Sequence, residues 1–361
     1  MHWELSEEQN LYADSLREWL SARATSERVR GWLESADGQS FDTELIEEGW
    51  AAVGFEEEAG GQGGGLLELA LTARELARAA APCSGWLARA VAEPALAAEP
   101  ELRRLLAERG EVTALAVRCD RIPSAPQGLS FDGRRVSGEV SNVLAAEVAK
   151  RFVIPVAGAD GNPTLVVVDR DARGVRVRPH DLLDRSRSAA DVAFDGAQAR
   201  LIGDADAAAA LTRSAHRAAV LVAADALGAA ERMLAMTVEY AKQRKQFGRP
   251  IASFQAIKHA GAQMLVAVEA AYSVSLYAAA SLQDGHPDAA LHAAAAKAQV
   301  TRSAADLADS ALTVHGAIGY TWEYDLQLLY KRAKLDRVLF GTPAAWNERI
   351  ASGLPLLPRA S

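Results

Sequence analysis

The sequence predicts a mainly α-helical α+β protein in three parts: an N-terminal α-helical domain (residues 1–110), a middle antiparallel β domain (111–203) and a C-terminal four-helix bundle (204–361). Two observations support this prediction. Apolar residues recur every three or four positions up to about residue 110 and again after residue 204, whereas short Val-rich runs separated by turn residues lie between. Alanine dominates the apolar residues, which favours helix over sheet.

The N-terminal part begins with an amphipathic helix. Ser6 stands before two glutamates in the pattern of an N-cap, and Leu16 and Leu20 lie on one face of the predicted helix. This acidic start lacks the basic region and apolar core of a secretory signal peptide, so we expect the protein to stay in the cytoplasm. Five glycines within residues 60–65 then interrupt the helical pattern. We interpret this run either as a flexible connector or as a shaped turn beside a ligand.

The middle part has the composition of short strands, with a predicted hairpin turn at Asp132 and Gly133. The predicted strands are residues 112–117, 128–140, 151–156, 164–169 and 174–178. After residue 204 the helical period returns. The predicted helices are residues 207–244, 253–283, 287–315 and 322–340, followed by a short helix from about residue 342. Four long helices joined by short loops predict a bundle.

Composition and charge exclude several classes of protein. A net charge of -8 and a pI near 5.5 argue against nucleic acid as the main partner, because phosphate binding needs a basic surface. Cys83 and Cys119 are too few for a disulfide scaffold and lack the spacing of a zinc site, so we predict no metal site. Asp225 interrupts the Ala-rich run at residues 218–230, and no segment approaches the roughly 20 continuous apolar residues that span a bilayer. We therefore predict no membrane span.

The segment from Tyr240 to Gln255 has the clearest chemical pattern. One helix is predicted to end at Gly248, a turn limited by Pro250 follows, and the next helix begins around residue 253. Four basic side chains crowd this corner: Lys242, Arg244, Lys245 and Arg249. An arginine there can hold a pyrophosphate through paired hydrogen bonds, while an aromatic ring packs against a flat ligand. A solvated charged surface is the competing interpretation.

The pattern Arg244-x-x-Phe247-Gly248, followed by Gln255, resembles the flavin-binding signature of the acyl-CoA dehydrogenases. Three further segments are similar to motifs of that family: the glycine-rich loop at residues 55–63, the turn at residues 314–320, and the segment before the last FAD-binding turn at residues 335–342. The order of helical domain, sheet and bundle is also that of the family. The resemblance implies the acyl-CoA dehydrogenase fold over nearly the whole chain.

Members of this family bind FAD across a subunit interface and oxidise the Cα–Cβ bond of a CoA thioester. The resemblance therefore implies FAD as the cofactor and an acyl-CoA thioester as the substrate. The implied FAD-binding residues are Arg244, Phe247, Gly248, Gln255, Gly316 and Gly319. His259 and His315 lie near helix ends, where a capping or packing role competes with contact to the cofactor or CoA.

The family reaction needs a carboxylate that removes the α-proton while the β-hydrogen leaves as hydride. Most members place a glutamate just before the final Gly-Thr, where this chain has Phe340. Other members use a glutamate in the first bundle helix, at a position that falls at or near Ala218, and residues 207–224 contain no acid. Asp225 and His216 are remote substitutes, and Asp225 fits a core or interface role better. The resemblance thus implies no catalytic base in this chain.

The middle domain departs from the family as well. The family sets a Thr/Ser-rich loop and a WIT/S-type strand against the flavin ring, and residues 117–123 and 139–144 keep neither pattern. The resemblance thus implies that this chain keeps one half of a shared flavin site and lacks the other half. This asymmetry resembles the base-less subunit of the α2β2 acyl-CoA dehydrogenases of actinobacterial steroid side-chain degradation, whose paralogous partner supplies the glutamate and most of the flavin platform. Two alternatives stay open: a homotetramer with an unusual base, and a non-catalytic scaffold or CoA-ester-binding protein.

Overall fold

The computed structural model describes residues 4–125, 127–158, 163–203 and 206–354. It confirms the predicted fold class, since two mainly antiparallel sheets lie along the chain between two helical regions. The N-terminal helices are α1 (Glu7–Arg23), α2 (Ser26–Ser35), α3 (Gly38–Glu47), α4 (Leu66–Arg78), α5 (Ser84–Ala92) and α6 (Pro100–Glu108). Ser6 caps α1 as predicted, because its Oγ accepts a hydrogen bond from the backbone amide of Gln9.

The glycine-rich run before α4 has a defined shape. Gly60 and Gly63 have φ of +80° and +73°, values that favour glycine. A Cβ atom at Gly61 would lie 2.2 Å from the carbonyl oxygen of Phe55, so the turn folds back tightly on its own start. Of the two interpretations, the shaped turn describes this run.

The middle region contains two four-stranded sheets. Their strands are β1 (Thr113–Leu115), β2 (Ser130–Phe131), β3 (Arg135–Leu144), β4 (Arg151–Ala157), β5 (Pro163–Asp169), β6 (Val175–Pro179), β7 (Ala189–Gln198) and β8 (Arg200–Leu201). The sheet orders are β1-β4-β5-β8 and β2-β3-β7-β6. The pairings are antiparallel except that β1 runs parallel to β4, with Thr113 opposite Arg151. The sequence prediction missed β7, a central strand whose Ala, Asp and Gly residues have low strand propensity.

The C-terminal region contains α7 (Ala207–Gln243), α8 (Gln255–Gln283), α9 (Ala289–His315), α10 (Leu326–Asp336) and α11 (Pro343–Gly353). The helices α7, α8 and α9 pack side by side, and α10 packs against α7 and α9. A Cβ atom at Gly228 of α7 would lie 1.9 Å from the carbonyl oxygen of Arg74 in α4. This close approach fixes the N-terminal region against the bundle.

Helix α8 differs from the prediction that no segment is apolar enough to cross a membrane. By length and composition alone, α8 is such a segment, and 44% of its most apolar window is buried. Its long contacts with α7 and α9 account for that burial, so α8 is a helix of the bundle core with one outward face.

Candidate functional site

The corner between α7 and α8 is a small hairpin. Helix α7 ends at Gln243 rather than at Gly248, and the two-residue strands β9 (Lys245–Gln246) and β10 (Arg249–Pro250) pair across a turn formed by Phe247 and Gly248. Both turn residues have positive φ, +51° and +76°, the geometry of a type I′ turn. Phe247 therefore adopts a left-handed conformation that residues with a Cβ atom seldom take.

The predicted FAD-binding side chains of this corner point away from the chain's own core. Phe247 is 91% exposed, and Arg244 and Gln255 are also exposed. Lys242 pairs with Glu239 at 2.8 Å, whereas Arg244 has no salt-bridge partner among the residues that the structure describes. The guanidinium of Arg249 lies 4.3 Å from the ring centroid of Phe254, and this contact rigidifies the base of the hairpin.

The turn after α9 lies beside the end of α7. The ring of Tyr240, one turn before Arg244, stacks on His315 with centroids 4.5 Å apart, and its hydroxyl donates to the carbonyl oxygen of His315 at 3.3 Å. Gly316 follows with φ +66° and ψ -146°, and a Cβ atom at Gly319 would lie 2.7 Å from Leu312 Cδ1. The structure thus brings the two predicted glycine positions and the basic corner to one end of the bundle.

His315 has a packing role at this end. Its Nδ1 lies 2.7 Å from the carbonyl oxygen of Ala311, and its Nε2 lies 3.1 Å from the hydroxyl of Tyr324. Burial lowers the pKa of His315, against an opposing effect of the Ala311 carbonyl, so the ring is neutral near pH 7. Both ring nitrogens are used within the chain.

The turn at the family's usual base position is closed. Phe340 is 2% exposed, its backbone amide donates to the carbonyl oxygen of Cys119 at 2.5 Å, and its carbonyl oxygen accepts from the indole of Trp346 at 3.0 Å. Buried Lys297 donates to the carbonyl oxygens of Asp336 and Gly341 at 3.0 and 2.8 Å. Burial lowers the pKa of Lys297 to about 7, against an opposing effect of Asp336. Position 340 thus holds a buried phenyl ring and no carboxylate.

The second base position is also apolar. Ala218 is fully buried in α7. His216, two residues earlier, is half-buried, and its pKa is lowered by burial and then by the charge of Arg349. It lines a cavity of about 460 Å³ with the glycine-rich turn and Arg213.

Asp225 lies in a buried ion cluster that joins the three regions of the chain. It pairs with Arg187, and its two oxygens accept from Nε and Nη2 of Arg332, both at 2.7 Å. Cys83 Sγ lies 2.7 and 3.2 Å from the same two guanidiniums. Burial alone would raise the pKa of Asp225, but the two arginines lower it to about 2. A carboxylate held by two arginines is a weak base. In the sequence, the only signal for this cluster was a single acidic residue within an alanine-rich run.

The middle-domain cleft lies between residues 118–125, together with Gln127, and strand β3. It encloses about 370 Å³, and no aromatic or threonine side chain lines it within the described residues. Arg118 and Asp120 instead form a paired salt bridge within the loop, at 2.9 and 2.6 Å. The donor set of the exposed corner fits a pyrophosphate and a flat ring approaching from outside the chain, whereas this cleft offers no flat platform for a flavin ring.

A larger cleft of about 580 Å³ separates the N-terminal helices from the connection between β6 and β7. Polar groups on both sides line it, among them Asp42, His180 and Arg185. Burial raises the pKa of Asp42 to about 7, although Arg89 and Arg187 act in the opposite direction. This cleft has the size of a small-molecule site.

Comparison with known proteins shows consistent similarities. Family models described as the acyl-CoA dehydrogenase N-terminal and C-terminal domains match residues 6–99 and 208–354. Acyl-CoA dehydrogenase IpdE2 of Mycobacterium tuberculosis is 32% identical over 355 residues, which cover 96% of this chain and 97% of that protein. A variant of the Tcur3481-Tcur3483 steroid acyl-CoA dehydrogenase is 26% identical with a TM-score of 0.85, covering 96% of this chain and 97% of that one. The ChsE4-ChsE5 complex from Mycobacterium tuberculosis, 24% identical with a TM-score of 0.85 over 99% of this chain and all of its counterpart, shares the fold.

Proposed function

Because the chain belongs to the acyl-CoA dehydrogenase family, we propose that it is the base-less subunit of an FAD-dependent acyl-CoA dehydrogenase built from two kinds of chain. The complex would introduce a double bond between Cα and Cβ of a CoA thioester. A paralogous subunit would supply the glutamate that accepts the α-proton. The observation that supports this proposal most strongly is the closed turn at Phe340, whose amide is hydrogen-bonded to Cys119.

The α7–α8 corner would complete the flavin site of the partner. Arg244 would hold the pyrophosphate through charge-assisted hydrogen bonds, Phe247 would pack against a flat ring, and Gln255 would pair with a polar edge. Gly248 gives the hairpin its shape, and Gly316 and Gly319 shape the adjacent turn. FAD, when bound there, accepts the β-hydrogen as hydride. Phe247 is 91% exposed and has an unfavourable left-handed backbone conformation. Both features support a partner chain at this corner, because burial of the ring in an interface would offset the cost of exposing it and of holding that conformation.

The acyl group that we propose is derived from a steroid. The support is the similarity to Tcur3481-Tcur3483, a steroid acyl-CoA dehydrogenase. The cleft of about 580 Å³ favours a second candidate function, binding of a CoA ester without catalysis, because it has the volume of a small-molecule site and its lining includes Arg185 and His180.

Co-expression with a paralogue that bears a glutamate at a base position tests the proposal. The mixed complex should reduce a flavin acceptor with a steroid-derived acyl-CoA, and a Glu→Gln change in the partner should abolish turnover. Turnover by this chain alone would contradict the base-less assignment. Tight binding of an acyl-CoA by this chain alone, with no activity in any pairing, would support the second candidate instead.

A further inference from the structure

A cluster of metal-ligating side chains lies at the turn between α8 and α9, outside the proposed flavin site. His286, Asp288 and His292 each place one ligand atom within 4.8 Å of the other two. The two histidine ring centroids are 5.1 Å apart. Asp288 is exposed and both histidines are half-buried, so a cation can reach the cluster from solvent.

Asp288 has a carboxylate that the helix does not use. It occupies the N-cap position of α9, where an aspartate normally accepts a hydrogen bond from an amide of the first turn. Its side chain makes no such bond. The carboxylate oxygens are therefore available to a ligand.

His292 is oriented by a buried partner. Its Nδ1 lies 2.7 Å from Oγ of Ser281, a fully buried residue of α8. The tautomer that donates from Nδ1 to this hydroxyl leaves the Nε2 lone pair for a metal, an arrangement typical of histidine ligands.

His286 makes one contact that a cation would replace. The backbone amide of Asp288 donates to its Nδ1 at 3.1 Å. A cation would compete with this amide for Nδ1, or take Nε2 after rotation of the ring. A half-buried ring can make either adjustment.

We propose that His286, Asp288 and His292 bind one divalent cation of the zinc class, with Ser281 as the positioning residue. Zinc binds readily to two imidazole nitrogens and one carboxylate oxygen. Magnesium and calcium prefer oxygen ligands, so two imidazole ligands make them less suitable for this site. Zinc bonds of about 2.0–2.2 Å in a tetrahedron place ligand atoms roughly 3.4 Å apart, so movements of about 1 Å close the cluster. Three protein ligands leave the fourth position to water, and the cation would tie the turn after α8 to the start of α9.

Calorimetric titration of the tag-free full chain with ZnCl2 tests this site. We expect about one equivalent to bind, with at least tenfold weaker affinity in His292→Ala and in the isosteric Asp288→Asn variant, and about tenfold weaker affinity in Ser281→Ala. The exposed His259 of α8 provides the matched control, since His259→Ala should leave the affinity unchanged. Titration with Co²⁺ should give visible absorption bands that the His286→Ala variant loses.

Circular dichroism without metal checks that each variant keeps the helical fold. Asp288→Asn keeps the size of the side chain, so it removes the charge without altering the packing. Zinc affinity that stays the same in the combined His286→Ala and His292→Ala variant would identify adventitious surface binding and overturn the proposal. Failure of the unmodified chain to bind zinc would overturn it equally. Neither result bears on the flavin proposal.

Discussion

The turn at Phe247 and the turn at Phe340 place a phenylalanine in the same left-handed conformation, with φ of +51° and +53°, but in opposite surroundings. Phe247 is 91% exposed at the basic corner between α7 and α8. Phe340 is 2% exposed and tied to Cys119 and Trp346 by its backbone. The ring of Phe247 therefore faces solvent, whereas the ring of Phe340 packs within the chain's own core.

The two turns contribute differently to the free energy of folding. Burial of a phenylalanine side chain contributes about 1.5–3 kcal/mol, so the sealed turn at Phe340 stabilises the fold directly. The exposed turn at Phe247 gains little from burial in the isolated chain, where its ring meets only the edge of Phe254 at 6.0 Å, and it has the same unfavourable backbone conformation. We propose that the chain lacks a catalytic pocket of its own and contributes a contact surface to the flavin site of a second subunit.

The largest expected effect concerns the buried ion cluster. Asp225→Ala removes the carboxylate that both Arg187 and Arg332 bind in a dry core and leaves Asp336 as the remaining acid of the cluster, so the free energy of unfolding should fall by about 3–5 kcal/mol. Urea denaturation followed by circular dichroism measures this. Asp195→Ala, which removes an exposed carboxylate 3.7 Å from Arg176, is the control and should change stability by less than about 0.5 kcal/mol. A decrease in the free energy of unfolding of less than about 1 kcal/mol would contradict the structural role of Asp225 and favour a catalytic role instead.

The sealed turn can be tested by restoring the carboxylate of the family. Phe340→Glu should lower the free energy of unfolding by about 3 kcal/mol, because apolar burial is lost and a carboxyl group is desolvated. It should not create dehydrogenase activity in the isolated chain, since in our proposal this chain holds only part of a flavin site. Phe340→Leu is the matched control, with an expected cost below about 1.5 kcal/mol. Reduction of a flavin acceptor by the isolated Phe340→Glu chain with an acyl-CoA would show that the turn at residue 340 can still support catalysis within this chain.

Arg244 tests the exposed corner. Arg244→Ala should weaken FAD binding in the mixed complex by about 10–100-fold, because a charge-assisted contact contributes about 1.5–3 kcal/mol, and should leave the stability of the chain itself unchanged. Fluorescence titration with FAD at fixed ionic strength provides the measurement. Lys242→Ala removes the same charge from the same exposed helix end and should have a much smaller effect. Equal FAD affinity in both variants would remove Arg244 from the proposed site.

The smallest expected effect belongs to Phe247. Phe247→Asn places a residue that tolerates positive φ in the type I′ turn, so the isolated chain should gain about 0.5–1 kcal/mol of stability. The same change removes an apolar contact, so pairing with the partner subunit should weaken several-fold. Chemical denaturation and a subunit titration measure the two effects. A gain in both stability and pairing would show that no partner covers this ring.

The fold and the position of the basic corner could be predicted from the sequence because both depend on local patterns, whereas the role of this corner in FAD binding stays a prediction. Helical periodicity located the bundle, and the spacing of Arg244, Phe247 and Gly248 located the corner. Strand β7 was missed because its sheet position, between β3 and β6, outweighs the weak strand propensity of its residues. The contact of Phe340 with Cys119 joins residues far apart in the sequence, which no local pattern encodes.

The ion cluster and the histidine cluster were missed for a related reason. Asp225 was recognised as an acid within an apolar run, but its partners Arg187 and Arg332 come from a sheet connection and from another helix. The prediction of no metal site considered the spacing of the cysteines. The His286-x-Asp288 pattern with His292 four residues further on was the available signal.

We propose that this chain holds no complete flavin site of its own, and the FAD content of the purified proteins, measured by native mass spectrometry, tests this proposal. The complex co-purified with the glutamate-bearing paralogue should carry about one FAD per pair of unlike chains, as an α2β2 assembly with two composite sites requires. This chain purified by itself should carry almost none. A homo-oligomer of this chain with one FAD per subunit would contradict the account.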